Sequence, residues 1–433
     1  MRTRGGYGGL SPLAPLDLGG GAAPAVRGLP LPRARPRAVG TPWSFALLLL
    51  FILLLYSNAA VLVPELAPAA PAQTVGLAAL AVLFVERSIA RRPLELAWPE
   101  SHLLLAFLGL AVVSAFTALW MRYAIDNVLI LLKVLVVYLL IANTVESWKR
   151  VRVVYGAMAI GGLFPALGAL LYYSRGEMVE GRAGWLGIFA NPNDLAFGLA
   201  VVFPLALALA LERGGRLRWL FWCALAAYAA AAFLTFSRSG LLGFGAVILL
   251  CLLRWTRPGL RLPALLLVAT GAAWAFLSYW ARQEGFADLV DDATAQQRLD
   301  TIRIGLDVFA DRPLLGAGLG CSLLAWPLYA PPGADAQGWL HSHNTFIQLL
   351  SETGLFGTLA FVLVIAAALL KARSLGRSCR RRGRPDLARL ASAPEIALWG
   401  FLVCGLAGGY LLSWFPYLLV GLVSALSRIP GEE

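Results

Sequence analysis

The sequence predicts an all-α polytopic membrane protein of about twelve transmembrane helices, with one large loop, residues 281–345, that carries short helices. Three observations predict it. Of 433 residues, 59% are hydrophobic and only 14% charged, against roughly a quarter charged in soluble domains. The mean hydropathy is +0.73. Apolar runs also recur at lengths near those that cross a bilayer. A soluble globule of this composition lacks the polar surface to coat itself.

The elements follow in order. Residues 1–42 are rich in Gly, Pro and Arg, as in Leu29-Pro-Leu-Pro-Arg-Ala-Arg-Pro-Arg37. They read as a disordered cytoplasmic tail rather than a signal peptide. The apolar runs then fall near 43–62, 68–85, 102–120, 128–144, 151–173, 194–211, 218–236, 239–253, 262–280, 346–370, 394–411 and 412–427. Together they make a transmembrane domain over 43–427, followed by a cytoplasmic tail over 428–433.

Charge sets the orientation. With the N-terminus in the cytoplasm, 27 of the 36 Lys and Arg residues lie inside. They include Arg87, Arg91 and Arg92, then Lys149, Arg150 and Arg152, and the basic run from Lys371 to Arg389. The reverse orientation would translocate nearly all of them, against the positive-inside rule. The same rule accounts for the net charge of +12, and no basic and aromatic interleaving points to nucleic acid. Five cysteines without CxxC spacing imply neither a disulfide framework nor a metal cluster.

Nine basic residues remain: Lys133, inside a helix, and Arg122, Arg175, Arg182, Arg238, Arg282, Arg298, Arg303 and Arg312, at or beyond the outer ends of helices. The 281–345 loop becomes external. Helical character runs from Ala295 to Ala310, Pro313 breaks it, and Gly316, Gly318 and Gly320 give a turn. No internal repeat marks an inverted-repeat transporter, and Lys133, within a helix, is the one ionisable group that such a reading could use.

The chemistry concentrates in this loop. Two of the three histidines lie in His341-Ser342-His343-Asn344, which opens the helix from Thr345. Ser342 or Asn344 can cap that helix. An imidazole there can act as base or acid near neutral pH, whereas a metal lacks a third ligand at recognisable spacing. Arg238, in Thr235-Phe-Ser-Arg-Ser-Gly240, sits at the outer junction of two helices, where a charge is costly unless it pairs or faces a cavity. Arg298 and Arg303 lie on the loop helix, near enough to Asp300 and Asp307 to pair with them. Clustered arginines beside a histidine also suit a diphosphate, since guanidinium binds phosphate oxygens through two parallel bonds. Asp194 or Asn193 in Asn191-Pro-Asn-Asp194 reads as an N-cap. Lys133 either reaches an outward cavity or snorkels.

The run His341-Ser-His-Asn-Thr-Phe-Ile-Gln-Leu-Leu-Ser-Glu-Thr-Gly-Leu-Phe-Gly357 resembles the signature of the O-antigen ligase and O-antigen polymerase superfamily. The family's histidine and glycine, ten residues between them, fall on His343 and Gly354. Its arginine and leucine, three residues between them, fall on Arg238 and Leu242. Its arginine before Pro-x2-Gly-x-Gly falls on Arg298 with Pro313-Leu-Leu-Gly-Ala-Gly318. Ile302 replaces the usual aromatic, which makes Arg303 an alternative. Asn191-Pro-Asn193 is similar to an Asn-rich segment of the family. The resemblance spans about 128–425.

It implies a membrane glycosyltransferase of the GT-C type in the bacterial inner membrane, acting on the periplasmic face. The implied donor is a glycan on undecaprenyl diphosphate, and the reaction is inverting, without metal or cofactor. A ligase uses a lipid A–core sugar hydroxyl as acceptor; a polymerase uses another lipid-linked repeat. His343 is then the expected base. Arg238, Arg298 or Arg303, His341, Asn344, Asn193 and Lys133 are the expected substrate-binding residues.

Overall fold

A computed structural model describes residues 41–179, 181–212, 217–280, 293–330 and 341–429. Most of the N-terminal tail, residues 281–292 and 331–340 of the loop, and residues 430–433 lie outside the described residues. Within them the chain is helical, with no β-strand and one isolated bridge between Val179 and Arg182.

The helices are α1 (Pro42–Ser57), α2 (Ala59–Leu62), α3 (Pro71–Ile89), α4 (Glu100–Phe116), α5 (Met121–Thr144), α6 (Trp148–Ser174), α7 (Pro192–Ala210) and α8 (Arg218–Leu234). After them come α9 (Arg238–Trp255), α10 (Pro258–Trp280), α11 (Ala293–Asp311), α12 (Trp326–Tyr329), α13 (Thr345–Arg381), α14 (Pro385–Cys404) and α15 (Trp414–Leu426). Each of the twelve apolar runs overlaps a helix, the first of them, 43–62, covering both α1 and α2. Seven helical segments among the described residues have the length and apolar composition to cross a membrane; α1, α4, α8, α15 and the described apolar part of α10 are shorter. A count of twelve spans therefore stays an expectation.

Among the helices long enough to cross a membrane, α7 and α14 are the most enclosed, and every residue of the shorter α15 is buried. Leu195, Leu199 and Leu205 of the first and Leu390, Ala397 and Phe401 of the second are buried, with Leu418 and Leu422 of α15 against them. The remaining long helices pack around this centre with leucine-rich outer faces such as Leu129, Leu132, Leu167 and Leu363. Exposed leucine on that scale suits contact with acyl chains rather than water.

Several of the basic residues assigned to the inside are paired with acids or helix-end carbonyls, and these contacts make up a polar end of the bundle. Arg87 donates to the Asn143 carbonyl (2.6 Å) and pairs with Glu146 (3.2 Å). Arg152 pairs with Glu212 (2.6 Å), Lys371 with Glu100 (2.6 Å) and Arg254 with Glu395. Arg428 donates to the Ala142 carbonyl. Lys371 lies 26 residues beyond Thr345 on α13, and the 17 residues after Gly354 alone give roughly 25 Å of helix rise. These contacts and the histidine tetrad thus occupy opposite ends of the bundle.

Two boundaries differ from the sequence reading. The apolar runs leave 371–393 as a loop, yet α13 continues to Arg381 and α14 begins at Pro385. Hydropathy alone misses these turns because they carry charge. Asp386 and Arg389 pair with each other, and proline at the first position starts α14 without losing a hydrogen bond. The orientation itself remains a prediction. A cysteine introduced at 382 should react with membrane-impermeant maleimide only after the cytoplasmic side is opened. Labelling from the periplasm would overturn it.

Candidate functional site

The site is built on a brace between the glycine run and the start of α13. Pro313 prevents α11 from continuing, and the chain returns beneath α13. There Ala317 N–H donates to the Ser351 carbonyl (2.8 Å) and Gly318 N–H to the Glu352 carbonyl (3.1 Å). Leu355 N–H donates back to Pro313 (2.8 Å) and Phe356 N–H to Leu314 (3.3 Å). The Ser114 hydroxyl ties Leu315 to α4 (2.6 Å). At Gly354 the helix breaks, with φ 60° and ψ −164°, a region essentially restricted to glycine. A Cβ there would lie 2.6 Å from the Leu315 nitrogen, and one on Gly316 would lie 2.7 Å from the Gly354 nitrogen. The spacing from His343 to Gly354 is thus architectural: the glycine allows the two backbones to touch.

The brace fixes the tetrad. Asn344 is the N-cap of α13, its side chain accepting from the Phe346 and Ile347 N–H groups (2.9 and 3.1 Å). Its amide donates to the Leu406 carbonyl (3.0 Å). Thr345 donates to the Gly408 carbonyl (2.6 Å) and accepts from the Tyr410 N–H (2.9 Å). His341 is exposed and His343 half-buried. Burial, then the nearby Arg298 charge, then His341, hold the His343 imidazole below its ordinary pKa.

The two loop arginines separate. On α11 they are about 140° apart. Arg298 shares a face with Thr301, Gly305 and Val308, which turns toward α13, and Thr301 and Val308 are buried. Gly305 lies against Ile347. Arg303 is exposed on the far side. A small cleft beside Arg298 is lined by Thr301, Ser322, Trp326 and Ser342.

Arg238 is the first residue of α9 and is exposed. Its position is set by Ser237, the N-cap, which accepts from Gly240 N–H (3.0 Å) and donates to Asn193 Oδ1 (2.7 Å). Arg182 also donates to Asn193 Oδ1 (2.8 Å) and to the Thr235 carbonyl (2.8 Å). The Asn193 carbonyl accepts from the Tyr410 hydroxyl (3.4 Å). A polar path therefore runs from Ser237 through Asn193 and Tyr410 to Thr345. It links the segment bearing Arg238 to the segment bearing His343.

Not every expected residue joins this path. Lys133 is exposed midway along α5, and no described hydrogen bond connects it to the tetrad. The N-cap of α7 is Asn191, which accepts from Asn193 N–H (2.8 Å), so neither Asn193 nor Asp194 caps. Asn193 is instead the bracket between Arg182 and Ser237. Sequence reasoning missed Arg182 as a partner, Tyr410 and Glu352. Arg182 had one signal, its unexplained external charge. Tyr410 had none, because its part depends on a turn 65 residues from Thr345. Among the described residues no three His, Cys, Asp or Glu side chains lie close enough to hold a metal ion.

Fold and site together define an all-helical, multi-pass membrane protein with a polar cluster of imidazole, guanidinium and amide groups at one end. Residues 223–362 match the O-Antigen ligase family. That stretch contains Arg238, Arg298, Arg303, His341, His343 and Asn344, and excludes Lys133 and Asn193. Over 246 residues, 53% of this chain, the sequence is 26% identical to the exopolysaccharide production protein ExoQ of Rhizobium meliloti (strain 1021). The match covers 55% of that protein, so the chain spans about half the length of this curated relative. Both matches support placing the chain in the O-antigen ligase and polymerase superfamily, the family its His343 to Gly354 segment resembles.

Proposed function

We propose that the protein is a periplasm-facing glycosyltransferase that moves a glycan from undecaprenyl diphosphate to a sugar hydroxyl, and that it acts as an O-antigen ligase on lipid A–core. The observation that carries this reading is the half-buried His343 beside Arg298, on a scaffold that also sets Arg238. In the proposed step His343 takes the acceptor hydroxyl proton as that oxygen bonds to the anomeric carbon. The bond from that carbon to the diphosphate oxygen breaks with inversion, and the diphosphate leaves with the electron pair. Arg238 and Arg298 stabilise its charge, so the reaction needs neither metal nor cofactor. The proton passes to solvent at the exposed His341 side.

A repeat-unit polymerase of the same superfamily is the second reading, favoured by the exopolysaccharide relative. Deleting the gene and resolving its glycans by electrophoresis separates the two. A ligase mutant loses O-chains and keeps lipid-linked polymer. A polymerase mutant keeps a single repeat unit on the core. Unchanged glycans would overturn both.

The arginine role has its own test. Removing one well-placed donor of this kind costs about 3–4 kcal/mol in the barrier. Lysine lacks the planar fork, so Arg238→Lys should recover little of the turnover lost in Arg238→Ala. Wild-type turnover in the lysine variant, measured with a lipid-linked donor, would refute two-pronged phosphate binding.

A further inference from the structure

We propose that Glu352 is a positioning residue for the transfer reaction, a buried latch that sets α11 against the start of α13 and so sets Arg298 against His343. The inference rests on the functional reading above. Glu352 is 1% exposed. One carboxylate oxygen accepts from Gly320 N–H (2.8 Å) and the other from the Ser322 hydroxyl (2.6 Å). The Gln348 amide lies 3.4 Å from both. No described cation pairs with it. Holding a carboxylate in such a place with neutral donors alone is costly, and the two shortest of those bonds come from Gly320 and Ser322 on the loop that follows α11.

The latch reaches both partners. Ser322, bound to the carboxylate, and Ser342, which precedes His343, line the same cleft. Thr301 lines it too, and its hydroxyl donates to the Arg298 carbonyl (2.9 Å). On the other side the Gln348 Oε1 is buried and unpartnered, and a Cβ on Gly409 would lie 3.2 Å from it and 2.6 Å from the Ser342 carbonyl. A slack carboxylate would let α11 drift from α13. The first thing to change would be the separation of the Arg298 charge from the His343 ring.

Reach, rather than charge, is the property this assigns to Glu352, and isosteric variants divide the two. Glu352→Gln keeps the length and an acceptor for Gly320. The Ser322 hydroxyl can turn to accept from the new amide, and Gln348 can flip to offer its free oxygen. Glu352→Asp is one methylene short of Gly320 and Ser322. Turnover per folded molecule should stay close to wild type in the glutamine variant. It should fall about tenfold to a hundredfold in the aspartate variant, as small misplacements of reacting groups do.

A second readout needs no catalysis. The chain has three histidines; with His102 and His341 replaced by asparagine, diethyl pyrocarbonate reports His343 alone. In that background Glu352→Asp should shift the pH dependence of His343 modification upward, as Arg298 moves away, and Glu352→Gln should leave it unchanged. Equal damage from glutamine and aspartate would overturn the proposal, because the charge or proton would then be what matters. So would an aspartate variant with unaltered turnover and titration. A fully active His343→Ala enzyme would instead sink the functional reading, and the His343 titration would still decide the latch.

Discussion

Replacing His343 by alanine is expected to slow glycan transfer by about a hundred- to ten-thousand-fold while leaving donor binding in place. A sugar hydroxyl is a very weak acid, and its attack gains from proton removal as the new bond forms. The base has to be neutral, and burial together with Arg298 favours the neutral imidazole. The sign follows directly. A base works above its own pKa, and a lowered pKa extends activity to lower pH. The acid limb of the rate profile should therefore lie below that of an ordinary histidine. Arg298→Gln removes a nearby positive charge, raises the His343 pKa and should move that limb to higher pH, besides its loss of diphosphate binding. His341→Ala, at an exposed position, should be milder. Transfer and donor binding, measured separately in each variant, test the assignment. Normal turnover in His343→Ala, or donor binding lost in proportion to activity, would exclude a base.

Gly354→Ala is expected to remove most folded protein. The backbone conformation at Gly354 costs an alanine about 1–3 kcal/mol. The added methyl meets the backbone of Leu314 and Leu315, which flexible side chains cannot relieve, for about 1–3 kcal/mol more. Gly383 is the control. Its φ is +73°, yet a Cβ there meets nothing within 4 Å, so Gly383→Ala bears only the backbone cost. Thermal unfolding in detergent should place Gly354→Ala well below Gly383→Ala. Equal melting temperatures would mean that the brace between the glycine run and α13 carries little stability.

Much of the helical architecture was legible because apolar runs are long and charge breaks them cleanly. It failed where charge and helix coincide, over 371–393, since paired Asp386 and Arg389 look like loop to a hydropathy window. At the site, the sequence separated His343 from His341 by spacing. It left Arg298 and Arg303 open because Ile302 stands where the family motif has an aromatic, and both arginines lie on the same helix. Only the packing of α11 on α13, which buries Thr301 and Val308, tells the two faces apart. Asn193 was read as a cap because Asn-Pro-Asn-Asp offers several capping side chains, and local sequence does not reveal that Ser237, 44 residues later, competes for it. Glu352 was in plain view inside the motif, but nothing along the chain announces that a carboxylate will meet Gly320 and Ser322.

The break at Gly354 also bears on how the protein is assembled. In a lipid environment an unsatisfied backbone N–H costs several kcal/mol. The N–H groups of Leu355 and Phe356 find their acceptors on Pro313 and Leu314 rather than within the helix. Before those carbonyls arrive, the favoured form of α13 is an unbroken helix that satisfies its own amides. The bend therefore depends on residues 313–318 being docked, and in the bent form Asn344 meets the turn after α14. Biogenesis and competence are joined at this point: a chain inserted with every span in place, but with the glycine run undocked, would present His343 on a straight helix away from Arg298.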